Sequence, residues 1–286
     1  MHELPKRQLF SACRGALPLL AGVAFFVAQA GAADAGKPQA APDDQIRAVR
    51  IAENAVFAGM GDSGKNEPTQ EDLDKLARLY KQLVEQNPKS AEAWNAEAEY
   101  QWRIEKHPEA MAEWMTAEKL DPENAAVAGH LAACYLELGR AKRATEYFER
   151  AAKLDPKNAL FEFNAGNTSF LFRHEMTNST DNEQAVILRS VIHFQRAAQI
   201  EPFNIDYAQA YAQAFYSLLP PDWNTALQAW IHYLQITDQK DFAYSNLARV
   251  NLKLGNKQEA RENLAKIESE KFAALKKHLL LEINAP

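Results

Sequence analysis

Residues 126–158 read AVAGHLAACYLELGRAKRATEYFERAAKLDPKN, and residues 243–273 read AYSNLARVNLKLGNKQEARENLAKIESEKFA. The second stretch repeats the first. LELGR (136–140) aligns with LKLGN (252–256), and AKRATEYFERA (141–151) aligns with KQEARENLAKI (257–267). The prolines set the period. Pro88, Pro122 and Pro156 stand 34 residues apart, in EQNPKS, KLDPEN and KLDPKN. Pro202, in QIEPFN, follows 46 residues after Pro156, which is one period plus 12. Periods of this size mark arrays of helix pairs. One pair cannot bury its apolar face alone, and stacked copies bury a continuous core.

These residues resemble the tetratricopeptide repeat family. The family places a large and a small residue a turn apart on the first helix of each pair, followed by an aromatic. The second helix carries Ala, an aromatic, Ala and finally Pro. Tyr135, Ala144, Phe148, Ala151 and Pro156 fit that pattern. Trp94, Ala98, Ala110, Trp114, Ala117 and Pro122 fit it one period earlier. Phe194, Ala197 and Pro202 persist later, with Ser190 at the usual Ala. The last copy keeps Ala248, Gly255 and Ala260, and has Phe272 in place of its Pro. The resemblance implies an all-α fold: a right-handed superhelical solenoid of antiparallel helix pairs, closed by a C-terminal capping helix.

Five repeats are expected over residues 91–268, beginning near Ala91, Ala125, Ala159, Ile205 and Asp241. An insertion falls near 173–185. Residues 45–90 read as a divergent N-terminal hairpin whose helices are separated by GMGDSGKNEPTQ (59–70). In the cap, 269–286, Phe272, Leu275, Leu279 and Ile283 share one helical face. The inserted stretch HEMTNSTDNE (174–183) holds a Ser/Thr-x-x-Glu spacing at Thr180 and Glu183. That spacing predicts a capping box ahead of the next helix.

Residues 1–35 are different material. Lys6, Arg7 and Arg14 precede the apolar run ALPLLAGVAFFVAQA (16–30), which is short for a bilayer span. Small-x-small ends follow at Ala30, Ala32 and Ala35. This is the layout of a cleaved secretory signal, and it predicts a periplasmic or secreted protein with no membrane insertion after cleavage. GKPQAAPDD (36–44) reads as a linker. The whole chain carries a formal charge of −6, and residues 1–35 hold three positive and two negative side chains, so the mature chain is near −7. No basic field points to nucleic acid. After cleavage one cysteine remains, Cys134, expected as a small buried side chain without a disulfide.

The catalytic templates are not met. His174-Glu175 opens like a zinc-protease helix, but Asn178 stands where the second His belongs. GMGDSGK (59–65) lacks the spacing of a phosphate loop, and Asn66 replaces its Ser/Thr. No cofactor or metal is expected. Asn178-Ser179-Thr180 and Asn167-Thr168-Ser169 match glycosylation triplets and are read as unmodified. Tyr207, Tyr211 and Phe215 recur at four-residue spacing, as a core stripe does. Asp222 is a helix N-cap candidate.

In the family, the first helix of each pair lines an inner groove. The exposed positions of those helices here carry Asn164, Asn167, Gln209, Gln213, Asn246 and Arg249, with Asn95 and His130 at comparable places earlier. Carboxamides donate and accept, so a row of them can clamp an extended peptide backbone. Phe163, Tyr216 and Phe242 lie between them as candidate side-chain pockets. Some members bind the acidic C-terminus of a chaperone through a fixed Lys, Asn and Arg set. The first Lys column holds Asn95, Gly129, Phe163, Gln209 and Ser245, so that set is not matched. The sequence therefore reads as a non-enzymatic scaffold or adaptor of the bacterial cell envelope that binds a protein or peptide. The alternatives are a metal-dependent hydrolase using the inserted loop and a structural, oligomer-forming subunit.

Overall fold

The computed structural model describes residues 41–58, 68–177 and 182–284. The signal-like segment, the loop 59–67 and the triplet at Asn178 lie outside these. The described residues form fourteen α-helices and no strand, in two compact units divided between Leu138 and Gly139.

The first unit holds α1 (Pro42–Phe57), α2 (Gln70–Gln86), α3 (Ala91–Arg103), α4 (His107–Leu120) and α5 (Ala125–Glu137). α1 begins inside the stretch expected to be linker, because Pro42 takes the first helical position, where a missing N–H costs nothing. Thr69 and Asp72 close a capping box on α2. Leu76, Tyr80, Leu83, Val84, Ala93, Ala96 and Tyr100 form the core of α2 and α3, with Ile46, Val49 and Ala52 of α1 packed on it.

The second unit holds α6 (Ala141–Leu154), α7 (Ala159–Leu171), the single turn α8 (Arg173–Met176), α9 (Glu183–Ile200), α10 (Ile205–Ala214), α11 (Trp223–Ile236), α12 (Lys240–Lys253), α13 (Lys257–Ala265) and α14 (Ala273–Asn284). Its main core joins Ile187, Val191 and Phe194 of α9 to Ala208 and Ala212 of α10, Trp230 and Tyr233 of α11, and Leu247 and Val250 of α12. On α14, Leu279 and Ile283 bury against Ala248, Ala260 and Leu264, with Leu275 and Phe272 at the margin.

The Asp-Pro-x-Asn period has a local cause. Asp121 accepts the N–H of Glu123, and Asp155 accepts that of Lys157. Proline cannot continue a helix. The Asn three residues after Asp121, Asp155 and Glu201 then caps the next helix. Asn124 accepts from Val127 at 3.1 Å, Asn158 from Leu160 at 3.2 Å, and Asn204 from Asp206 at 3.2 Å. Each cap contributes about 1 kcal/mol. First helices accordingly start at Ala125, Ala159 and Ile205, while Ser90 caps the one at Ala91 and the last starts at Lys240, one residue before Asp241, without a side-chain cap.

In three of the described helix-to-helix turns the chain passes through one residue of left-handed backbone. Gly139 and Gly255 sit there at φ 68° and 82°. Glu105, 34 residues before Gly139, occupies the same place at φ 63° without being glycine. On the second helices, the alanine and aromatic columns are buried: Ala110, Trp114 and Ala117; Ala144, Phe148 and Ala151. Ser190 keeps the column because its hydroxyl donates to the carbonyl of Val186 at 3.1 Å. Gly166 lets α7 and α9 approach closely. A Cβ there would stand 3.0 Å from His193 Cβ and 3.1 Å from the Phe194 ring.

The insertion is partly packed. Met176 of α8 is buried with Ala141 and Val186, beside Phe172. α9 starts at Glu183, and its cap is Asn182, which accepts from Ala185 at 2.9 Å. The capping box expected from Thr180 is thereby replaced. Glu183 instead takes Arg173, at 2.7 Å. Asp222 caps α11 through the N–H of Thr225 at 3.0 Å.

Candidate functional site

The first helices of the second unit, α7, α10 and α12, carry the six residues read from sequence as a binding row. Phe163 of α7 packs on Tyr207 of α10 at 4.8 Å between ring centroids. Tyr216, in the turn after α10, donates to Asn246 Oδ1 of α12 at 3.1 Å. The three helices are thus neighbours, tied by side chains at the candidate positions.

The six residues are not equivalent. Asn164 and Asn167 are half-buried on α7, Gln213 is exposed on α10, and none of the three makes a side-chain hydrogen bond among the described residues. Arg249 is exposed on α12. Its guanidinium lies 4.6 Å over the Tyr216 ring and 3.4 Å from Asn246 Oδ1, with no carboxylate partner among the described residues. Asn246, expected on the surface, is only 3% exposed. Its amide donates to the Phe242 carbonyl at 2.9 Å and its oxygen accepts from Tyr216 and Arg249. It is a fixed bracket rather than a free contact. Gln209 is intermediate: half-buried, its oxygen accepts from the Tyr233 hydroxyl at 3.0 Å.

The aromatics set between these residues belong to core edges. Phe163 meets Phe194 and Tyr207, and Phe242 meets Trp230 and Tyr233. Tyr216 is half-buried. Burial pushes its phenol up to about 12, against the opposing charge of Arg249, so it remains a hydroxyl donor.

The comparable residues of the first unit have internal partners. Asn95 donates to Glu99 Oε1 at 2.8 Å and accepts from Trp114 Nε1 at 2.9 Å. His130 stacks on Trp114 at 4.6 Å and meets Glu99 Oε1 at 3.3 Å. Arg50 of α1 takes the other Glu99 oxygen. Burial alone would raise the Glu99 carboxyl, but His130 and Arg50 outweigh it and hold it down to about 2. Glu53 is buried between the Tyr80 hydroxyl and Arg103. Sequence reasoning missed Arg50, Glu53 and Glu99. Their signal is acidic and basic residues falling on the faces that carry the apolar stripes of α1 and α3.

Among the described residues, no three His, Cys, Asp or Glu side chains gather as a metal site, and no helix is long and apolar enough to cross a membrane. His174 is 71% exposed and faces Glu183 at 3.4 Å. Cys134 is buried, and its thiol is pushed up to about 12 by burial.

Two models of the tetratricopeptide repeat match the chain, over residues 69–125 and 105–162. DnaJ homolog subfamily C member 7 of Homo sapiens is 28% identical over 133 residues, which is 46% of this chain and 26% of that protein. The Mus musculus protein of the same name is 26% identical over 133 residues. The chain spans about a quarter, 26%, of the length of these curated relatives. Among solved structures, YrrB, a TPR protein with an unusual peptide-binding site, is similar with a TM-score of 0.57 at 17% identity, covering 72% of this chain and 99% of that one. PilF of Pseudomonas aeruginosa is similar with a TM-score of 0.54 at 15% identity, covering 84% and 99%. At these identities the likeness is one of fold.

Proposed function

Since the chain is a tetratricopeptide-repeat protein, we propose that it is a protein-interaction scaffold whose second unit captures an extended segment of a partner across α7, α10 and α12, and that it does no chemistry itself. The observation that carries this reading is the idle state of Asn164, Asn167 and Gln213. Each presents a carboxamide whose donors and acceptor are used by no side-chain hydrogen bond among the described residues. An extended backbone offers an N–H and a C=O at every residue, and carboxamides answer both without reading side chains. Arg249, placed over the Tyr216 ring and beside Asn246 Oδ1, adds a cation with two neighbours to orient it. A preoriented guanidinium loses less freedom when it takes an anionic group of the partner.

The place of action is proposed as the bacterial cell envelope. The support is the sequence of residues 1–35, with its basic opening, 15-residue apolar run and small-x-small ends.

The reading is tested with a photo-crosslinking side chain placed in intact cells at Leu171, one turn beyond Asn167 on α7, and separately at Leu188 on the outer face of α9. Both positions are exposed. A discrete adduct from Leu171 and none from Leu188 is expected. Adducts from Leu188 alone would move the contact surface off the first helices.

A further inference from the structure

His193 sits on α9 with 7% of its surface exposed, and both of its ring nitrogens face carboxylates. Nδ1 lies 2.6 Å from Glu162 Oε2 of α7, and Nε2 lies 3.6 Å from Glu149 Oε1 of α6. Glu162 is itself buried, and its other oxygen meets Arg196 at 3.5 Å. A neutral imidazole has one donor nitrogen and one acceptor nitrogen; only the imidazolium donates from both. Nδ1 is hydrogen-bonded to Glu162 and Nε2 stands at ion-pair distance from Glu149, and only the doubly protonated ring turns a positive N–H toward both carboxylates.

The surrounding charges agree with that form. Glu149 of α6 also feels Lys153 of α6 and Arg189 of α9, and its carboxyl is lowered, chiefly by His193, against burial. Burial would lower the His193 imidazolium, but the Glu149 and Glu162 contacts outweigh it and leave it raised. On the other side of α9, α10 carries the titratable groups Asp206, Tyr207 and Tyr211. Backbone geometry couples the ring to α7. Gly166 has no side chain where His193 Cβ passes, so α7 rests directly on this residue. Asn164 and Asn167 lie within one turn of Glu162 and Gly166 on that helix.

We propose that the His193 imidazolium is the positioning residue of the capture face, tying α7 to α6 and α9, and that its deprotonation loosens α7 and with it Asn164 and Asn167. The proposal rests on the capture reading for its functional meaning. Its structural part stands alone. The sign follows from the contacts. A group whose folded form holds its proton more tightly adds stability at low pH and loses it as pH rises through the folded pKa.

The test uses the full chain without ligand, so its failure is separate from failure of capture. Backbone hydrogen exchange, corrected for intrinsic rates, is followed at about pH 6 and about pH 9, which bracket the ordinary imidazole range. Amides of α7 and α9 are expected to open about tenfold more readily at the higher pH, the loss of one charge-assisted contact. Glu149→Gln, at a half-exposed position, is expected to flatten that dependence while the helices persist. The His193 ring, identified by NMR through the signal missing in His193→Gln, is expected to titrate above about 6.5. Equal opening of α7 at both pH values would overturn the proposal. So would a ring titrating at or below the ordinary value.

Discussion

Asn95 in the first unit and Asn164 in the second come from the same kind of helix, one position apart within the repeat. Their fates differ. Asn95 spends both ends of its amide on Glu99 and Trp114, whereas Asn164 has no side-chain hydrogen bond among the described residues. The first unit has turned its polar row into scaffolding, with Arg50, Glu99 and His130 locked around Trp114. The second has left part of its row idle. A polar residue on a first helix marks a contact surface only when the fold has not already used it.

The sharpest way to break this contrast is Glu99→Ala. If the first row is scaffolding, the substitution strands Arg50 and His130 and costs about 3 kcal/mol in denaturant unfolding. A loss below about 0.5 kcal/mol, as at an ordinary surface position, would show that the first row is as idle as the second. The carboxyl held near 2 also fixes the pH sign. Its contribution is present above the ordinary carboxylate range and is lost as pH falls toward 2, and Glu99→Ala removes that acid limb.

Glu113 of α4 sharpens the contrast from the other side, because this half-buried residue has one oxygen that is idle yet buried. Its Oε2 has no hydrogen-bond partner, nor has Gln101 Oε1 of α3. Burial pushes the Glu113 carboxyl up to about 8, with the charges of Glu97 and Glu109 adding and Lys106 opposing. Here the folded state holds the proton, so stability is greatest below the ordinary carboxylate range and declines as pH rises through about 8. Glu113→Gln should abolish that decline in pH-dependent melting, with a gain of about 1 kcal/mol near pH 9 from the removed charge. An unchanged alkaline limb would show that Glu113 is already ionised. An idle polar atom thus signals binding only when it is also accessible.

The smallest expected effect lies in the turns. Glu105 and Gly139 share one conformation, φ 63° and 68°. Glu105→Gly should stabilise by about 1 kcal/mol and Gly139→Ala destabilise by a similar amount. Nothing lies within 4 Å of a Cβ at Gly139, so the backbone alone sets the penalty. Equal and negligible changes at both would remove conformation as the reason for the glycine.

Much of the architecture was legible in the sequence because its causes are local. A Pro that cannot continue a helix, an Asn that caps the next, and alanines a turn apart all act within a few residues. Helix starts at Ala125, Ala159 and Ile205 follow from them, and the start at Ala91 from the cap at Ser90. Partner choice is not local. Whether Asn246 is buried depends on Tyr216, 30 residues away, and whether Glu99 is anchored depends on Arg50, 49 residues away. The cap of α9 differs from the expected one for a related reason: Asn182 caps the helix, and Glu183, expected to complete a local box, bonds Arg173 ten residues away. The repeat period also concealed its own exception. Glu97 stands where Leu131 stands 34 residues later, both buried.

The most direct test of the central claim compares partner crosslinking from Leu171 in two backgrounds of equal helical circular dichroism. One is the triple variant Asn164→Ala, Asn167→Ala, Gln213→Ala; the other is Asn95→Ala. The account predicts loss of the Leu171 adduct in the triple variant, at about 1 kcal/mol or fivefold per lost contact. It predicts full capture in Asn95→Ala, with reduced thermal stability. Undiminished capture in the triple variant, or capture lost only in Asn95→Ala, would contradict it.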